Sequence, residues 1–174
     1  VLYGVTEDKR LWVVRFRIED GTAPKAAIDQ ITELEFPGVQ LYPRESSNYR
    51  LEGIVLSDDG KTMYFAWERT ADNLPRIFSL PTEEGVSGKP VLPKEVPIDF
   101  GAVQPREDQP KALLNLNDIR FLRRGAKPCL LAIARDQERL LVIGLDTGKV
   151  ERIVDIDFRA PDGESMMWTS PEGL

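Results

Sequence analysis

Residues 51–67 read Leu51-Glu52-Gly53-Ile54-Val55-Leu56-Ser57-Asp58-Asp59-Gly60-Lys61-Thr62-Met63-Tyr64-Phe65-Ala66-Trp67. Two short runs rich in β-branched and aromatic residues flank a polar segment, which predicts an antiparallel hairpin. The turn has its own chemistry. Gly60 stands where the chain needs positive φ, and the preceding aspartates can bond their own backbone. Asp146-Thr147-Gly148-Lys149 repeats the turn between Arg139–Leu145 and Val150–Phe158.

Working outward, the same pattern fills most of the chain. Arg10–Ile18, Arg76–Leu80 and Lys127–Ala134 are further strand candidates bounded by turn residues, so the fold class is all-β. In Pro24–Leu34, apolar residues fall at Ala27, Ile28, Ile31 and Leu34, a spacing that suits a helix yet leaves a strand open. A Pro-rich insertion covers about 81–110, with Pro81, Pro90, Pro93, Pro97, Pro105 and Pro110. It is expected to be mostly extended, with at most short edge strands.

Composition narrows the chemistry. The 174 residues are 41% hydrophobic and 30% charged, ordinary globular content with room for one domain or two. The longest apolar run, Cys129–Ala134, is far short of the roughly 18 residues that span a bilayer. With no His, the usual serine and cysteine triads are excluded, and with one Cys so are the common zinc ligand sets. Any metal must be held by oxygen. Cys129, inside an apolar run, reads as a buried structural thiol. The net charge of −6 argues against a nucleic-acid groove, and Arg120, Arg123 and Arg124 read as a solvated hairpin rim. The chain opens without Met or a signal-type segment, so the expectation is a start after a removed leader or inside a longer protein.

The opening stretch also belongs to a repeat. Leu51-Glu52-Gly53-Ile54 and Leu116-Asn117-Asp118-Ile119 each precede a turn, a strand, a polar loop and another strand. A weaker copy begins at Leu2-Tyr3-Gly4-Val5, and Pro171-Glu172-Gly173-Leu174 starts a further one. Gly4 to Gly53 is 49 positions, Gly53 to Asp118 is 65, and Asp118 to Gly173 is 55. Such periods predict β-propeller blades of antiparallel four-stranded sheets. The units are roughly 1–50, 51–115 and 116–170, a next blade starts at 171–174, and the insertion lengthens the middle unit. Residues 1–174 then form a single partial β-propeller domain.

Glu52-Gly53-Ile54, the Asp-Gly hairpin, Phe65-Ala66-Trp67-Glu68 and Arg76-Ile77-Phe78-Ser79-Leu80 resemble the esterase-like phytase domain. Asn117-Asp118-Ile119, Leu130–Asp136, Arg139–Ile143, Asp146–Val150 and Pro171-Glu172-Gly173-Leu174 are similar to the SdiA-regulated family of secreted or periplasmic propellers. Together the resemblances cover about residues 48–80 and 114–174. They imply a six-bladed ring, of which this chain would supply about three blades, calcium near the central channel, and a periplasmic or secreted location.

The residues make their own case for a site. A propeller blade begins with the strand nearest the axis, where glycine permits a close backbone approach. Glu52, Asp118 and Glu172 would then converge on the channel mouth with Asn117 nearby, an oxygen set suited to Ca²⁺ more than to Mg²⁺. The bland alternative is that Glu52 and Glu172 accept hydrogen bonds from neighbouring blades and hold the ring in register. Glu68 is expected at the loop surface, paired with Arg69 or Arg76. Asp155, Asp157, Asp162 and Glu164 lack EF-hand spacing and read as a solvated loop. Met166-Met167-Trp168 reads as a packed plug.

Three functions remain at this point: a calcium-binding propeller that takes a small or polymeric ligand at the mouth; a calcium-dependent phosphate- or carboxyl-ester hydrolase, in which Glu52 or Glu172 positions a water; and a protein-interaction scaffold. Half a ring would also leave two hydrophobic blade faces, so the expected partner is the remaining half of the propeller or a second copy.

Overall fold

The computed structural model describes residues 1–6, 11–22, 25–36, 51–70, 72–107 and 110–156. The chain is mostly β. Its strands form three antiparallel sheets, each a meander of sequence neighbours.

The first sheet joins β1 (Leu2–Val5), β2 (Leu11–Glu19) and β3 (Lys25–Leu34) in that order. Four strands were expected here; three lie among the described residues. Of the stretch Pro24–Leu34, the described part, Lys25–Leu34, is strand rather than helix, since β3 pairs with β2 along its whole length. Its helical spacing has a local cause. Arg15 faces Gln30 and Phe16 faces Ile28, so Asp29 is an extra residue in a β-bulge. The bulge resets the alternation of faces and brings Ile28 and Ile31 onto one side.

The second sheet is β4 (Leu51–Leu56), β5 (Thr62–Trp67), β6 (Arg76–Pro81) and the short edge strand β7 (Lys94–Val96). A bulge recurs at its start: Leu51 faces Trp67 and Gly53 faces Ala66, which leaves Glu52 as the extra residue. Leu51, Ile54 and Leu56 consequently share one face, and Val55 turns to the other. The β4–β5 turn follows the sequence reading. Gly60 has φ of 68°, and Asp59 Oδ1 accepts hydrogen bonds from Ser57 Oγ at 2.6 Å and Lys61 N at 3.0 Å. The third sheet runs β8 (Asp118–Arg124), β9 (Lys127–Ala134), β10 (Arg139–Gly144) and β11 (Lys149–Asp155). A 3-10 turn, Arg135–Gln137, joins β9 to β10, and Gly148 sits at φ of 63° in the β10–β11 turn.

The second sheet is covered on both faces, and this explains its two interleaved apolar sets. Met63, Phe65, Trp67, Phe78 and Leu80 pack against Leu11, Val13 and Leu34 of the first sheet. Ala66 and Ile77, on the opposite face, pack against Ile119, Leu130, Ala132, Leu141 and Ile143 of the third. Strand alternation alone delivers both sets, because successive side chains leave a strand on opposite sides.

The Pro-rich segment does more than span a gap. It holds one helical turn, α1 (Thr82–Gly85), and β7, and it stitches both seams. Val91 exchanges backbone hydrogen bonds with Glu33 and Glu35 beside β3, each 2.9 Å, and Asp99 N donates to Gly148 O at 2.7 Å. Phe100 and Val103 then enter the core between the second and third sheets.

Candidate functional site at the strand-start end

The sheets meet where their first strands begin. β4 lies against β1 on one side and against β8 on the other. The closest approach is at Gly53: a Cβ there would come within 2.9 Å of Asp118 Oδ1, 3.0 Å of Ile119 N and 3.1 Å of Asp118 Cα. The carboxylate oxygen stands closer than real Cβ atoms come, and the two backbone atoms, which cannot swing away, are at the tight limit of such contacts, so glycine is the residue that fits this crossing without a shift. Glu52 and Asp118 therefore sit on adjoining strands at one end of the molecule. Asp118 Oδ1 also accepts a hydrogen bond from Ile119 N at 2.7 Å, which orients its carboxylate.

Of the remaining carboxylates considered for the mouth, Glu172 lies outside the described residues, as do Asp157, Asp162, Glu164 and Met166-Met167-Trp168. Asp155 is described and pairs with Arg139 at 2.7 Å. Among the described residues, no three His, Cys, Asp or Glu side chains form a group that could hold a metal.

Asn117 belongs to a different constellation from Asp118. Its side chain is buried and committed at both ends, with Nδ2 donating to Glu68 Oε1 at 3.4 Å and Oδ1 accepting from Arg135 N at 3.3 Å. Asn115 does the same one residue pair earlier: Nδ2 donates to Glu68 Oε1 at 3.0 Å, and Oδ1 accepts from Asp136 N at 3.2 Å. Each asparagine thus bridges the carboxylate just after β5 to the backbone of the turn after β9. The amide oxygen of Asn117 is already engaged, so it fits a calcium shell poorly. Glu52 and Asp118 fit better, as hard oxygen donors at a shared end.

Glu68 is the residue that sequence reasoning misplaced. Expected at a loop surface, it is 2% exposed. Arg76, one of its expected partners, pairs with Asp72 and Glu95 instead. Burial pushes the Glu68 carboxyl above the ordinary glutamate range; the Asn115 hydrogen bond and the charges of Arg135 and Arg69 pull the other way, and Asp136 adds to the rise. The Arg135 guanidinium stands 3.9 Å from Oε1. One signal in the sequence pointed here. Leu114-Asn115-Leu116-Asn117 alternates like a strand with one wet face, yet all four residues are buried, so the asparagines had to find buried partners.

The basic cluster lies at the rim, as expected. Arg123 makes a two-pronged pair with Asp58 of the neighbouring sheet's hairpin, and Arg124 pairs with Glu151 at 3.3 Å. The Arg123 hydrogen bond holds the Asp58 carboxyl below its ordinary range. Cys129 is buried, and burial raises its thiol pKa, as suits a structural cysteine.

No family model matches the chain, and no curated protein matches it.

Proposed function

We propose that the three sheets are successive blades of a β-propeller, and that the strand-start end is a channel mouth binding Ca²⁺ beside a small or polymeric ligand. The supporting observation is the contact of first strands, with the Gly53 backbone seated against Asp118. This is the approach a blade makes at a propeller axis. Glu52 and Asp118 would supply the hard oxygens, Glu172 would join them, and calcium would complete its shell of about six to eight oxygens with backbone carbonyls and water. Asn117 has the weaker claim, since its side chain ties sheets together. A periplasmic or secreted location belongs to the same reading.

A hydrolase of phosphate or carboxyl esters draws less support. Phosphate chemistry calls for cations aimed into the mouth, whereas Arg123 and Arg124 are paired with Asp58 and Glu151 at the hairpin rim and Arg135, at the strand-start end, lies 3.9 Å from the Glu68 carboxylate.

Differential scanning of the chelator-stripped protein tests the calcium reading. Adding CaCl₂ should raise the melting temperature, by an amount equivalent to about 2.7 kcal/mol at a hundredfold excess over Kd. The rise should vanish in a Glu52→Gln, Asp118→Asn double variant. An unchanged melting curve for the natural sequence would end the proposal.

A further inference from the structure

Asp-Gly occurs three times in the chain, at Asp20-Gly21, Asp59-Gly60 and Asp162-Gly163. The third lies outside the described residues; the fold treats the first two oppositely. An aspartate before glycine is open to attack by its own main chain, because no Cβ shields the glycine nitrogen or restricts the backbone that presents it to the aspartate Cγ.

Asp59-Gly60 is locked against that attack. Gly60 N donates to Ser57 O at 2.9 Å, which points the nitrogen away from Cγ. Asp59 Oδ1 accepts from Ser57 Oγ at 2.6 Å and from Lys61 N at 3.0 Å. The same two bonds hold the Asp59 carboxyl below its ordinary range, which depletes the neutral acid whose hydroxyl can leave.

Asp20-Gly21 has none of these restraints. The β2–β3 ladder ends where Glu19 faces Lys25, and both residues of the pair lie beyond it, exposed. A Cβ on Gly21 would meet nothing within 4 Å. Among the described residues, neither the Gly21 amide nor the Asp20 carboxylate has a hydrogen-bond or ion-pair partner.

We propose that Asp20 is a self-modification site, converting to isoaspartate in the folded protein while Asp59 is spared. The Gly21 nitrogen attacks Cγ of the neutral Asp20 carboxyl and an N–Cγ bond forms. The carboxyl hydroxyl and the amide proton leave together as water, and a cyclic succinimide remains. Water then adds to one of its carbonyls. Opening at Cγ restores aspartate; opening at the main-chain carbonyl carbon routes the backbone through Cβ and Cγ and leaves the α-carboxylate as the side group. No oxidant, reductant or cofactor enters. The product lengthens the backbone by a methylene beyond the last ladder pair, where it breaks no strand hydrogen bond.

Trypsin places the three pairs in separate peptides, 18–25, 51–61 and 160–174, so each is followed by itself. The purified chain is held at neutral pH and body temperature, in native buffer and in parallel in urea, and isoaspartate is measured in each peptide by chromatography with electron-transfer fragmentation. In native buffer, 18–25 should convert at least about tenfold faster than 51–61, the factor that breaking a hydrogen bond or two costs before Gly60 N can turn onto Cγ. In urea the two rates should draw together. Asp20→Glu should abolish conversion in 18–25 and leave the melting curve unchanged. Equal rates in native buffer overturn the proposal, as does isoaspartate in 18–25 that survives Asp20→Glu. A native difference that persists in urea also overturns it, since the cause would then be local sequence rather than the fold.

Discussion

The seam between the first and second sheets is dry, and the seam between the second and third is tied. In the first, Phe36 packs edge-on against Trp67 and Phe78, with ring centroids 5.1 and 4.8 Å away. The one polar handle in that trio, Trp67 Nε1, is satisfied by Arg69 O at 3.1 Å. In the second, an apolar core is closed at the strand-start end by Glu68, Asn115 and Asn117 and pinned at the hairpin end by Arg123 and Asp58. Aromatic packing supplies much burial with limited directionality. Hydrogen bonds supply less net free energy but accept one geometry. The first seam has backbone hydrogen bonds from Val91 at its margin, but the tied seam is the one whose register is also specified by side-chain hydrogen bonds, and it adjoins the Gly53–Asp118 crossing on which the candidate site depends.

The largest expected effect breaks the dry seam. Trp67→Ala should cost about 3–5 kcal/mol in urea denaturation, the usual range for emptying a buried aromatic site. A loss under about 1 kcal/mol would mean that the aromatic trio contributes little to the seam.

Glu68 sharpens the other side of the comparison. Glu68→Ala leaves the amides of Asn115 and Asn117 without their acceptor and should destabilise by about 2–3 kcal/mol, whereas Glu68→Gln keeps an acceptor oxygen and removes a buried charge. A carboxyl whose folded pKa is raised stabilises the fold fully below its unfolded value, and that contribution is lost as pH rises through the folded value. Glu68→Gln should therefore be at least as stable as the natural chain at neutral pH, and its advantage should shrink as pH falls through the raised Glu68 value. Melting curves across pH 4 to 8, a range of about four units chosen to bracket a raised carboxyl, check this. A Gln variant as damaged as the Ala variant would show that the charge itself holds the tie.

The smallest effect is expected at the rim. Arg123→Ala removes an exposed ion pair with Asp58, and such pairs contribute little and are screened by salt. Its melting temperature should fall slightly at low ionic strength and coincide with that of the natural protein in high salt. A large, salt-resistant drop would make the rim, rather than Glu68, the principal tie of this seam.

Much of the fold was legible in the sequence because β-structure announces itself locally. Strand propensity, glycine-bearing turns and alternation placed β5, β9 and both tight turns. The misleading cases share a cause. At Ile28–Ile31 and Leu51–Ile54, apolar residues three apart imitate a helix, yet a bulged residue, Asp29 or Glu52, restores them to one strand face. A bulge is a property of two paired strands, so one strand's sequence does not display it.

The site divides along the same line. Residue types alone determined the chemistry open to this protein: no histidine, a single cysteine, an acidic balance, and carboxylates set beside glycine at the sheet starts. Tertiary structure decided which of those groups meet. Gly53 reaches Asp118 only because two sheets cross there, and Glu68 became a buried acceptor only because Asn115 and Asn117 arrive from the segment leading into β8, 47 and 49 residues away. Burial and pairing depend on what lies across the seam, and that partner is set by the packing of distant segments rather than by any residue's neighbours in the chain.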